Sequence, residues 1–239
     1  LVVDAPRIAA EAVNARVELD QNRAVLTNLS ADVNGGTLTG KGGLAVRGGT
    51  IADVDIELAA RDFAYDAPLD LRSLSDSDIT VRSQGDDIVV AGQVTIQEAG
   101  LTGDINFDTG LLATVTARRQ LELTPERNPL LERLLFNVNV DTATPILVDN
   151  NLAKAEVLTD LRVVGTPYET GLLGRLEITE GGMVTLNERT FEIERGEMTF
   201  IEDRRIYPSF DLRMTTSANN YDITLTVTGE PGETETTLS

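Results

Sequence analysis

Apolar and polar residues alternate strictly, in short runs, from one end of the chain to the other. In Tyr221-Asp222-Ile223-Thr224-Leu225-Thr226-Val227-Thr228-Gly229, the side chains of Tyr221, Ile223, Leu225 and Val227 fall on one side, and those of Asp222, Thr224, Thr226 and Thr228 on the other. Successive side chains of a β-strand point to opposite faces, so this run predicts a strand with one apolar and one polar side. The same alternation covers residues 51–58, where Asp53, Asp55 and Glu57 interleave with Ala52, Val54, Ile56 and Leu58. It recurs over residues 88–96, 176–178, 191–193, 198–200 and 210–214. A sheet assembled from such strands carries a whole apolar face, and very little of the chain has a helical period that could cover it.

Turn signals separate the runs: Asn34-Gly35-Gly36, Gly42-Gly43, Gly48-Gly49, Gln84-Gly85-Asp86, Gly181-Gly182, Asn187-Glu188 and Asn219-Asn220. Gly and Asn tolerate positive φ, which tight hairpins require. Runs of roughly 5–8 residues between such turns predict an antiparallel meander of about a dozen strands rather than a βαβ fold. Residues 124–136 break the pattern. Asn128 suits a helix N-cap and Pro129 the first helical position, with Leu130, Leu131, Leu134 and Leu135 on one face. This predicts one short helix near 129–136, of one or two turns, plugging or crossing the sheet. Residues 7–17 fit helix or strand equally well. The strands repeat in pattern and not in identity, which argues against a solenoid. The expected fold is therefore all-β, with residues 1–239 as one continuous β-rich segment, open to subdivision into 1–120 and 121–239 around the break. The ends carry no punctuation, so the expectation is a piece of a longer protein.

Composition narrows the function. Aromatic residues make up 4% and Trp is absent, so the apolar face must be lined mostly by Val, Leu, Ile and Ala. The net charge of −19, with no basic patch, repels nucleic-acid phosphates and excludes that class of partner. It also disfavours anionic lipid headgroups, while resisting the edge-to-edge aggregation to which strand-rich chains are prone. The absence of Cys excludes disulfides and thiolate chemistry, and the absence of His removes the commonest general base and zinc ligand. Gly35-Gly36-Thr37-Leu38-Thr39-Gly40-Lys41-Gly42 approaches a phosphate-binding loop, but Gly42 replaces the required Ser or Thr and no helix follows. It reads as two hairpin turns. Asp53 with Asp55, Asp76 with Asp78, and Asp86-Asp87 lack the spacing of a calcium loop and read as a solvated sheet face. Glu202-Asp203-Arg204-Arg205 reads as a charged hairpin tip. No catalytic residue, metal ligand or cofactor is expected, and the chain does not read as an enzyme.

The C-terminal half carries a resemblance. Val163-Val164-Gly165-Thr166-Pro167, Gly171-Leu172-Leu173-Gly174-Arg175-Leu176, Glu180-Gly181-Gly182 and Leu186-Asn187-Glu188-Arg189-Thr190-Phe191 resemble the C-terminal region of the TamB family. So do Gly196-Glu197-Met198-Thr199-Phe200, Tyr207-Pro208-Ser209-Phe210-Asp211-Leu212, the run from Tyr221 to Gly229, and Leu238-Ser239. Together these phrases cover residues 134–239; the N-terminal half matches only in alternation and Gly-rich turns. The resemblance implies a periplasmic segment of a Gram-negative protein anchored in the inner membrane. It also implies a partner of the TamA type, an outer-membrane assembly barrel met mainly through a segment beyond Ser239. Related AsmA-like proteins imply phospholipid transport along an elongated, curved, taco-like β-groove.

Alternating aliphatic side chains would give acyl chains a continuous apolar path, worth about 25 cal/mol per Å² of area kept from water. The expected lining residues are Ile146, Val148, Leu161, Val163, Leu176, Ile178, Ile193, Met198, Phe200, Met214, Ile223, Leu225 and Val227. The same residues would equally serve as the ordinary core between two packed sheets. Two other functions stay open at this point: an assembly factor for outer-membrane barrels that pairs with client strands, and a sealed structural or adhesive β-module.

Overall fold

The alternating runs form strands, and the strands form one sheet. The computed structural model describes residues 2–4, 7–67, 70–104, 128–186, 189–218, 221–231 and 233–239. Among them are β1 (Val2–Asp4), β2 (Arg7–Asp20), β3 (Arg23–Val33), β4 (Gly36–Arg47), β5 (Thr50–Ala67), β6 (Leu71–Gln84) and β7 (Asp87–Leu101). After helix α1 (Pro129–Glu132) come β8 (Leu134–Thr142), β9 (Ile146–Asp149), β10 (Ala153–Gly165), β11 (Thr170–Ile178) and β12 (Met183–Leu186). The last four are β13 (Arg189–Glu202), β14 (Pro208–Ala218), β15 (Tyr221–Glu230) and β16 (Glu233–Leu238). The ambiguous stretch over 7–17 is strand. All sixteen described strands belong to a single sheet, in which neighbours in sequence are neighbours in space apart from the two interruptions below.

The strands are longer than the turn spacing predicts, because bulges let a strand slip phase and continue. In β5 the register shifts between Ala60 and Phe63, with Asp62 at φ +54°. That slip keeps Leu58 and Ala60 on the same face as Phe63 and Tyr65. Gly42-Gly43 is likewise no turn: it lies inside β4, opposite Ile56 and Asp55. Of the near-phosphate stretch 35–42, only Gly35 lies in a turn, with Asn34 before it, so it holds one hairpin turn and not two. Gly48-Gly49 and Gly85-Asp86 turn as expected; Asn187-Glu188 and Asn219-Asn220 lie outside the described residues. Gly181-Gly182 sits in a break rather than a hairpin. β11 and β12 both lie between β10 and β13 and run in the same direction, so they are one strand interrupted at 179–182. β8 and β9 are similarly one strand interrupted at 143–145, since both pair with β7 and with β10.

The pairing of β7 with β8 and β9 is parallel, and every other pairing is antiparallel. A parallel neighbour requires the chain to travel back along the strand it has just completed. The helix ends that return. Asn128 caps it, its side chain accepting from Leu130 N at 3.0 Å, with Pro129 at the first position. The helix is shorter than expected, one turn over 129–132 with no buried residue, so it does not plug the sheet. Leu134 and Leu135 leave the helical pattern because they pair with Ile88 and Val89. Arg133 holds the junction, its backbone accepting from Ile88 N at 2.7 Å and its guanidinium donating to the carbonyls of Asp86 and Ile51.

The sheet curls. Flat sheet geometry would place β2 and β5, three spacings apart, about 14 Å from each other. Yet Asn34, at the β3–β4 turn, accepts from Ala9 N of β2 at 2.8 Å and donates to Ala64 O of β5 at 2.9 Å. The flanking strands therefore converge beyond the hairpin they enclose. Bulges in several pairs supply the bend that this requires.

Candidate functional site

Directly paired residues in a sheet project to the same face, so the register alone locates the apolar surface. One row runs Leu29, Gly40, Leu58, Ile79, Gly92, Val138, Val163, Leu172 across eight strands. The next runs Ala31, Leu38, Ala60, Ser77, Val94, Val140, Leu161, Gly174, Phe200, Pro208. Further rows hold Thr159, Leu176, Met198, Phe210, and then Ile146, Val157, Ile178, Gly196, Leu212, Val227. Ile193, Met214 and Leu225 continue the pattern towards the β16 edge, with Val148 beside Ala155 and Ile223 beside Thr216. All thirteen residues singled out from the sequence thus lie on one face. The N-terminal half contributes to that face as fully as the C-terminal half does. Ile56, Ile79, Val90 and Val94 belong to it and were missed as lining residues, although their alternation was plain.

The opposite face is charged. Lys41 pairs with Glu57 at 3.1 Å, Arg82 with Asp55 at 2.9 Å, and Arg61 with Asp78 at 2.7 Å. The hydrogen bonds that Arg61 donates to Asp78 and Arg82 donates to Asp55 hold both guanidiniums above their ordinary pKa. These pairs are exposed and link strands β4 to β6, so each adds little to stability. Of the acidic pairs read from the sequence as a solvated face, Asp55 and Asp78 are exposed cross-strand partners of cations. At the β13–β14 tip, Arg205 donates to Glu202 at 3.1 Å and lies 4.7 Å from the Tyr207 ring centroid, a charged tip as expected.

Two glycines shape the apolar face. Gly92 (φ +147°) and Gly174 (φ +110°) occupy positions where a Cβ would stand 2.0 Å from Asp78 O and 2.1 Å from Asp160 O. Both sit mid-row, where a strand must bend towards its neighbour.

Packing along the face is uneven. Ile193 is 1% exposed and Met214 3%, and with Phe191 and Leu225 they form a packed cluster. Ile178, Leu212 and Val227 lean against it. Phe200 is also buried, whereas Ile146, Val148, Leu161, Val163, Leu176, Met198 and Ile223 are half-buried. No second sheet lies over them among the described residues. The accessible surface is 16027 Å², against about 10,500 Å² for a compact monomer of this size. The chain is thus a broad layer with much of both faces in contact with solvent, and its apolar side is a long surface with a packed cluster around Ile193 and further buried residues, among them Val54 and Ile88, in the N-terminal half.

No group of His, Cys, Asp or Glu among the described residues has the arrangement of a metal centre, and no described helix is long and apolar enough to cross a membrane. The family model described as the TamB C-terminal domain matches residues 27–239. No curated protein matches the chain.

Proposed function

We propose that this chain, which belongs to the TamB family, is a stretch of a periplasmic conduit that carries phospholipid acyl chains between the inner and outer membranes. TamB-family proteins are translocation and assembly modules of the Gram-negative envelope, serving outer-membrane assembly and lipid transport rather than catalysis. The observation that supports the narrower reading is the single-faced register. Rows of aliphatic side chains continue across the sheet without a charged residue mid-row, and no second sheet covers them among the described residues. An acyl chain on such a surface stays out of water at each step and needs no tight binding site, which suits movement. The headgroup remains in solvent at the open side. In this reading the full protein is anchored in the inner membrane and meets a TamA-type barrel at the outer one.

Photo-crosslinking tests it. A crosslinking residue at Leu161, on the apolar face, should capture phospholipid in cells, and one at neighbouring Arg162, on the opposite face, should not. Equal lipid capture at both positions, or none at Leu161, overturns the conduit. A second reading, assembly of outer-membrane barrels by strand addition, draws on β16, whose residues pair on one side only among the described residues. Crosslinks from β16 to client polypeptide would favour it.

A further inference from the structure

The charged face also carries leucines. Leu147 is 56% exposed and Leu158 39%. Leu147 pairs with Gly100 and Glu156, and Leu158 with Glu177, so both project away from the lining residues Ile146, Val148 and Val157. The row through Leu147 runs Asp66, Arg72, Gly100, Leu147, Glu156 across five strands. The row beside it holds Ala64, Leu74 and Glu98. Gly100 has no side chain, and a Cβ there would meet only Leu147 O, at 3.9 Å, so the row dips in its middle. The two strand breaks flank the same stretch of β10. β8 gives way to β9 between the partners of Asp160 and Val157, and β11 to β12 between those of Val157 and Lys154. Two depressions of about 710 and 420 Å³ result, which share Leu147 and Glu156 and take Pro145 and Gly181 from the breaks as lining. Together they form a shallow groove that crosses the strands.

The backbone of β7, β9 and β10 is paired on both sides here, so no strand can add to it and an occupant must be held by side chains. From β5 to the break beyond β10 the groove spans five strand spacings, about 24 Å. That is the length of a helix of about 16 residues. Laid across the strands, such a helix would set an apolar stripe on Leu74 and Leu147. Charge selects which helix. Arg72 is tied to Asp66 at 3.9 Å and Lys154 to Asp149 at 3.3 Å. Glu98, Glu156 and Glu180, at the rim of the same groove, have no cation partner among the described residues. A second copy of the chain would bring the same acidic rim, and an anionic membrane its own negative charge, so both are repelled. A net charge of −19 draws cationic partners towards the whole surface, and the groove offers them an apolar seat.

We propose that this groove on the charged face is a docking site for a basic amphipathic helix of a partner protein. The proposal is independent of the conduit reading, which concerns the other face. Its test is fluorescence anisotropy of the chain with a labelled helical peptide of Leu and Lys, its leucines at i, i+3, i+4 and i+7, and with a matched peptide of Leu and Glu. The Leu/Lys peptide should bind roughly tenfold more tightly than the Leu/Glu peptide, and more weakly as salt rises. Leu147→Asn, shown to be folded by a thermal melt, should weaken that binding roughly tenfold through the lost apolar contact. Glu98→Gln combined with Glu156→Gln should weaken it severalfold and flatten the salt dependence. Equal binding of the two peptides, or no binding of the Leu/Lys peptide, overturns the proposal. Unchanged binding in Leu147→Asn overturns it as well, and a loss in Leu161→Asn instead would put the peptide on the apolar face. A dimer in sedimentation that Leu147→Asn splits would make the occupant a second copy, and also overturns it.

Discussion

Leu161→Asp puts a charge in the middle of the apolar face. Leu161 faces Val140 on one neighbouring strand and Gly174 on the other, with Phe200 one strand further on. It is half-buried and lies outside the packed cluster around Ile193, so the fold should tolerate the change. An acyl chain crossing this row gives up contact with a leucine side chain, worth about 2 kcal/mol. It must also strip part of the water from the introduced carboxylate, at a further cost of about 1–3 kcal/mol. A barrier raised by about 3 kcal/mol slows passage roughly a hundredfold. The assay is uptake of a fluorescent phospholipid from donor vesicles, with a thermal melt to establish folding. Arg162→Asp, on the opposite face, is the control and should leave uptake near normal.

The same variant makes a pH prediction. Apolar surroundings raise the pKa of a carboxylate by desolvation, so the introduced group becomes neutral as pH falls through that raised value. The block should therefore relax on mild acidification and return as pH rises. Folded Leu161→Asp protein that takes up lipid at the unaltered rate at neutral pH would refute the reasoning. Ile178 is a poorer probe, although its place in the pattern is equivalent. It packs against the buried cluster, and a Cβ on Gly196 would stand 2.8 Å from it, so a charge there reports on folding as well as on passage.

Ile193→Ala should cost about 2–5 kcal/mol, because the side chain is fully enclosed by Met214, Leu225 and their neighbours; urea unfolding with an unchanged slope measures it, and a loss under about 1 kcal/mol would refute the packing. Gly174→Ala should destabilise by about 1–3 kcal/mol through the approach to Asp160 O and the positive φ. Gly181→Ala carries a similar positive φ, +87°, but has open space around it and should cost less, so equal melting shifts for the two would refute the close approach at Gly174.

Much of this architecture is legible in the alternation. The run from Tyr221 to Gly229 is β15, and residues 51–58 lie within β5 with Val54, Ile56 and Leu58 on the apolar side. Period-two alternation marks both the existence of a strand and the face each residue takes, so the thirteen candidate residues could be placed without coordinates. Strand ends were less legible. Gly-Gly signals a turn at 48–49 but a strand interior at 42–43, because the same freedom at φ serves a hairpin and a bend. The leucines after Pro129 fit a helix locally, yet Leu134 and Leu135 are drawn into β8 by pairing with Ile88 and Val89, residues far away in sequence.

By itself the sequence determined that this protein is a sheet with one aliphatic face and one charged face, since side-chain direction along a strand follows from local backbone geometry. Only the tertiary structure decided that the two halves join through a parallel pair, that strands continue through bulges and breaks, and that one part of the face packs into a cluster around Ile193 while most of the other lining residues stay half-exposed. Those outcomes depend on which distant strands pair and in what register, and the free energy that selects them comes from contacts between residues that no local pattern brings together.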